Sequence, residues 1–95
     1  MSDPNDLGLA LSAAALGRHE EADRYFAATL ELSQRAGTRL VAARAHFDWS
    51  RVLADRGDVA RAREHAEIAV AFGEQLGMDG PFGIVPRGHK LLESL

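Results

Sequence analysis

The chain of 95 residues contains no cysteine, which excludes disulfides, thiolate metal sites and a thiol nucleophile, and fits a reducing compartment. Lysine is almost missing as well: Lys90 is the only one, and arginine supplies the other cations. With a net charge of −3 and a pI near 5.7 there is no broad basic field to attract a nucleic-acid backbone. No apolar run approaches the ~20 residues that a membrane-spanning helix needs. The opening Met1-Ser2-Asp3-Pro4-Asn5-Asp6 is acidic where a secretory signal is basic. These absences lead us to expect a soluble cytoplasmic protein with neither a membrane nor a direct nucleic-acid partner.

What the chain does have is helical rhythm broken by single glycines. Leu53-Ala54-Asp55-Arg56-Gly57-Asp58-Val59-Ala60-Arg61-Ala62 reads as a helix end, a one-glycine turn and a helix start. Leu11 to Asp23 holds an earlier copy around Gly17, with an alanine five residues after each glycine and the two glycines 40 residues apart. Asp3 and Pro4 are placed to open a first helix that reaches about Leu16. A second helix runs from Arg18 or His19 to about Ala36. Ala22, Tyr25, Phe26, Thr29, Leu30 and Ser33 form its inward stripe, and Glu20, Asp23, Arg24, Glu31 and Arg35 its solvated side.

Thr38 is a suitable cap for a third helix over about 39–56, with Ala42, Ala45, Trp49, Val52 and Leu53 facing inward. Asp58 should cap a fourth helix that reaches Gly77 along Val59, Ala62, Ala66, Ala69, Val70, Gly73 and Leu76. Residues 78–88, with two prolines and three glycines, read as a loop carrying apolar plugs. A last short helix over His89–Ser94, or from Pro86, would lay Leu91, Leu92 and Leu95 over the fourth. The expected fold is therefore all-α in one domain: two antiparallel hairpins, about 4–36 and 39–77, and a C-terminal capping helix within about 78–95.

These markers resemble the tetratricopeptide repeat, in the longer form found at the C-terminal ends of large bacterial regulators. The second unit carries Trp49, Leu53, Gly57, Ala62, Ala66 and Ala69 at the repeat's marker spacings, and the first keeps Gly17, Ala22, Phe26 and Leu30. Ser50, Ala66 and Thr29 depart from the residues common at those positions. The runs Ala15–Ala22, Leu32–Gly37 and Gly73–Met78 look like the tail of LuxR-type and cyclase-associated ATP-binding regulators, and the likeness covers about residues 7–78. The chain has neither a phosphate-binding loop ending in Gly-Lys-Ser/Thr nor a separate DNA-binding domain, so a role of that kind would act through partners.

The resemblance implies that the first helix of each hairpin lines a groove for a protein or peptide segment. The contacting residues would be Arg44, Phe47, Asp48, Arg51 and Asp55 from the third helix, with Leu7, Leu11 and Ala14 from the first. Two arginines beside an exposed phenylalanine suit a segment bearing an acidic group or a C-terminal carboxylate. The plainer reading pairs Arg44 with Asp48 and Arg51 with Asp55 along a solvated face. A second functional reading is a small-ligand sensor with an apolar pocket near Trp49, Phe47 and Tyr25.

No catalytic set stands out, because the carboxylates have basic neighbours at helical spacing, as in Glu20 with Arg24 and Glu31 with Arg35. His19, His46, His65 and His89 lack the paired spacings of metal sites, so no metal or cofactor is expected. Two hairpins fall short of the three or more repeats that stacks of this kind need. Either a homodimer covers the apolar residues Leu7, Leu9, Leu11 and Leu16, or those of the tail, or the tail folds back as a cap.

Overall fold

The computed structural model describes residues 6–78, 80 and 83–95. Five helices make up the fold: α1 Asp6–Ala15, α2 His19–Ala36, α3 Arg39–Asp55, α4 Val59–Gln75 and α5 Ile84–Ser94, with no strand among the described residues. α1 pairs with α2 and α3 with α4 as hairpins, and α5 lies along α4. The expected all-helical fold with a short C-terminal helix is present. The expected opening at Asp3 and Pro4 lies outside the described residues.

Both hairpin turns are closed by the same backbone device. Gly17 and Gly57 have φ of 75° and 85°, left-handed values that cost a residue with a Cβ about 1 kcal/mol or more. The amide of Gly57 donates to the Ala54 carbonyl at 3.0 Å and that of Asp58 to Leu53 at 2.9 Å; Gly17 and Arg18 repeat the pair on Ala14 and Ala13. These bonds occupy carbonyls that a helix end leaves free. Asp58 then caps α4 at once, its Oδ1 accepting from the Arg61 amide at 3.3 Å. Thr38 does not cap α3 with its side chain: its Oγ1 donates backward to the Ser33 carbonyl at 3.4 Å, because α2 ends so close before it.

Alanines at the crossings let the helices approach closely, and larger side chains fill the remaining space as two clusters. The first gathers Ala10, Ala13, Ala22, Phe26, Trp49, Leu53 and Ala62; the second gathers Ala43, Phe47, Ala69 and Ile84. Phe26 and Leu53 are wholly buried, each worth about 2–3 kcal/mol in transfer free energy. Ser50, also wholly buried, donates through Oγ to the Ala62 carbonyl of α4 at 2.8 Å, so the polar atom is satisfied where α3 and α4 cross. The molecule measures 32 × 31 × 19 Å, and its short axis accommodates two layers of helices.

The C-terminal helix starts five residues before His89, so the expected loop over 78–88 is too long. Pro86 falls in the first turn of α5, where a missing N–H forfeits no intrahelical bond. Gly88 is buried at the crossing with α4, where a Cβ would lie 2.4 Å from Val70 Cγ2. Glycine is thus a packing requirement of that crossing and not a helix breaker. The tail folds back as a cap, with Leu91 against the second cluster and Leu95 against the first, while Leu9, Leu11 and Leu16 of the first hairpin remain exposed.

Candidate functional site

α3 is flanked by α1 on one side and by α5 on the other, and its outward face is the floor of three adjoining hollows. Between α1 and α3 runs a groove of about 470 Å³ lined by Leu11, Ala14, Ala15, His19, Asp48, Arg51, Val52, Asp55 and Arg56. Between α3 and α5 lies a cleft of about 570 Å³ bounded by Phe47, Arg51, Arg87, Lys90, Leu91 and Ser94. A smaller hollow of about 150 Å³ joins Arg44, Phe47 and Asp48 to Ile84 and Arg87.

The structure therefore brings Leu11, Ala14, Asp48, Arg51 and Asp55 into one groove and places Arg44 in the adjoining hollow. Leu7 packs half-buried against the first cluster instead of lining the groove. Phe47 is not an exposed contact residue: it is only 5% accessible and belongs to the second core cluster beneath α5. On α3 alone it lies away from the inward stripe of Ala42, Ala45, Trp49 and Leu53, and it is α5 that covers it. Phe47 still shapes the surface, since the guanidinium carbons of Arg87 and Arg51 stand 4.6 Å and 5.9 Å from its ring centroid.

The outward charges do not neutralise one another as helical spacing suggests. Among the described residues no ion pair within 4.0 Å joins Arg44 to Asp48, Arg51 to Asp55 or Glu20 to Arg24, whereas Arg35 and Glu31 do pair at 2.9 Å. Burial pushes the Asp48 carboxyl above the usual carboxylate range, and the charges of Arg44, Arg51 and Arg87 around it only partly pull it back.

Charge is handled differently on the inward side. Asp23, expected in solvent, accepts from Trp49 Nε1 at 2.9 Å and receives both terminal nitrogens of Arg56, Nη1 to Oδ2 at 3.2 Å and Nη2 to Oδ1; Arg61 approaches to 3.7 Å. Burial alone would raise the Asp23 carboxyl. The bonds from Arg56 and Trp49, with the charges of Arg56 and Arg61, outweigh that and hold it below the usual range. One carboxylate thereby ties α2 to the end of α3 and the start of α4.

The inward side also carries a histidine pair that linear spacing does not show. His46 Nδ1 and His65 Nδ1 are 2.9 Å apart, and the ring centroids 5.2 Å, with 26° between the planes. The difference between those two distances is close to two imidazole radii, so the rings meet edge to edge, joined by one N–H···N bond, and are not stacked face on face. Only one Nδ1 can carry the proton, which requires opposite tautomers in the neutral pair. His65 lies against Trp49 at 4.3 Å, Trp49 against Phe26 at 5.4 Å and His46 beside Phe72 at 6.0 Å. Burial lowers both histidines, His46 to about 4 with help from the positive charge His65 can carry. Among the described residues no group of three His, Asp or Glu side chains could hold a metal ion.

Trp49 and Phe47 belong to separate clusters, and Tyr25 packs against the first. The three therefore do not converge on the pocket expected for a small-ligand sensor. Arg87 and Lys90 are the surface residues that sequence reading missed. Their three-residue spacing on a helix is available once the last helix starts at Pro86 or earlier, but that they face α3 across a cleft appears only in the packed structure.

Compared with protein-family models, curated proteins and solved structures, the chain matches none. No helix among the described residues is long and apolar enough to cross a membrane.

Proposed function

We propose that the chain is a non-catalytic protein–protein interaction module, a scaffold or regulatory docking domain that receives a segment of a partner protein. The observation that supports this reading is the groove between α1 and α3, where Leu11, Ala14 and Ala15 form one apolar wall and Asp48, Arg51 and Asp55 form the other. An extended or helical segment laid there places apolar side chains on α1 and hydrogen-bonding groups against α3. Trp49, Phe47 and Tyr25 do not gather into one pocket, so the docking reading is the one proposed here over a small-ligand sensor.

Peptide display tests the proposal. Random twelve-residue peptides selected on the wild-type chain are expected to bind at micromolar strength and to lose at least ~10-fold in affinity when Ala15→Glu narrows the groove. Ala15 is exposed, so the variant should melt like the wild type. Selection that enriches nothing, or peptides indifferent to Ala15→Glu, would refute docking in this groove.

A further inference from the structure

We propose that the cleft between α3 and α5 is an anion site that takes the phosphoryl group of a phosphorylated partner segment, an inference that rests on the docking reading above. Arg51 from α3 and Arg87 and Lys90 from α5 converge on this cleft, and no carboxylate is among its lining residues. Among the described residues none of the three takes part in an ion pair within 4.0 Å, although Asp55 and Glu93 stand one helical turn from Arg51 and Lys90. A chain with 14 acidic residues against 11 lysines and arginines has enough carboxylates to neutralise these three. Among the described residues it leaves the three without a direct ion pair on one patch, although the charges of Arg51 and Arg87 also act on the half-buried Asp48 carboxyl.

The patch is also ordered in advance. Arg51 and Arg87 both lie within cation–π range of the Phe47 ring. That ring is held in the core by Ala43, Ala69 and Ile84. A guanidinium already stacked on a fixed ring loses less freedom on binding, and its N–H edge remains available for a forked contact with an oxyanion. Three cationic groups in one cleft match a phosphoryl group, which brings close to two charges and three acceptor oxygens in a compact shape. A single carboxylate would leave part of that charge unmatched. Leu91 supplies an apolar surface for a neighbouring side chain of the segment, and Arg51 also lines the α1–α3 groove, so one segment can span both. Asp48 faces the groove and the smaller hollow but not this cleft.

Fluorescence anisotropy with three labelled peptides that differ only within one two-residue window after a leucine tests this: Leu-phosphoserine-Ala, Leu-serine-Ala and Leu-Glu-Glu. The phosphoserine peptide is expected to bind at least ~10-fold tighter than the serine peptide, to weaken as salt rises, and to lose that advantage in Arg87→Gln/Lys90→Gln. Both substituted side chains are exposed, and an unchanged melting temperature confirms that the variant is folded. Equal binding of the phosphoserine and serine peptides, or an advantage that survives the double substitution, would overturn the anion site while leaving groove docking intact. Equal binding of the Glu-Glu peptide would overturn the phosphoryl assignment. Inorganic phosphate that shifts the Arg51, Arg87 and Lys90 side-chain NMR signals, with no peptide binding in any form, would support the anion site and refute segment docking.

Discussion

The two sides of α3 treat polar groups in opposite ways. Inward, the polar side chains of α3 and of Arg56 just after it find partners: Trp49 Nε1 and both terminal nitrogens of Arg56 reach Asp23, Ser50 reaches a carbonyl of α4, and His46 reaches His65. The Arg56 Nε is the exception, buried without a partner. Outward, Arg44, Arg51 and Asp55 are exposed on the floor of open hollows, and among the described residues none of them makes an ion pair within 4.0 Å. Both sides set arginine beside aspartate. Inside, an unmatched charge costs several kcal/mol, so the fold supplies partners; outside, water does, and the charges remain free to meet a ligand.

The largest effect is expected from breaking the inward side at its hub. Asp23→Ala removes the acceptor shared by Trp49 and Arg56 and leaves a guanidinium that is only 15% exposed without its carboxylate. Chemical denaturation should register a loss of about 3 kcal/mol. A loss under ~0.5 kcal/mol, the scatter of ordinary surface substitutions, would mean that Asp23 is as solvated as its helical position suggests.

A smaller effect comes from acid. The folded chain holds His46 and His65 neutral, so the unfolded chain binds more protons in the interval below the ordinary histidine value of 6.5. Stability contributed by the neutral pair is therefore full above pH 6.5 and declines as pH falls toward about 4, the His46 value. The pair is half open to water, which limits the total to about 2 kcal/mol. Much of the decline should appear above pH 5, before Asp23 takes up its proton, and in His46→Gln it should shrink. A melting temperature constant from pH 7 to 5 would show that the two rings are free to separate and hydrate.

The smallest effect is expected on the outward side. Arg51→Gln with Asp55→Asn should change stability by no more than ~0.5 kcal/mol, because the two side chains do not pair. A loss above ~1 kcal/mol in denaturation would mean that they form an ion pair in solution and that the two sides of α3 are less different than they look.

Much of this fold was legible because its determinants are local. The glycines at 17 and 57, the Asp58 cap and the inward stripe of α2 each act within one or two helical turns. The sequence points to a later start for α5 than Ile84, because Pro86 and Gly88 usually interrupt a helix. Here one sits in a first turn and the other is demanded by Val70 across the crossing. Phe47 looks exposed on α3 alone because only α5, packed from the far end of the chain, covers it. Asp23 was misplaced for a related reason: on α2 alone it belongs to the polar side, and only the end of α3 covers it.

The sequence by itself determined where α2, α3 and α4 begin, where the two hairpins turn, and that α3 presents Arg44, Asp48, Arg51 and Asp55 on one side. Only the tertiary structure decided which polar groups are paired and which stay open. The partners that matter are 19 residues apart for His46 and His65, 26 for Trp49 and Asp23, and 33 for Arg56 and Asp23. Helix periodicity fixes neighbours three or four residues away. Contacts at those longer separations exist only after the hairpins pack, when burial withdraws water from some charges and leaves it to others.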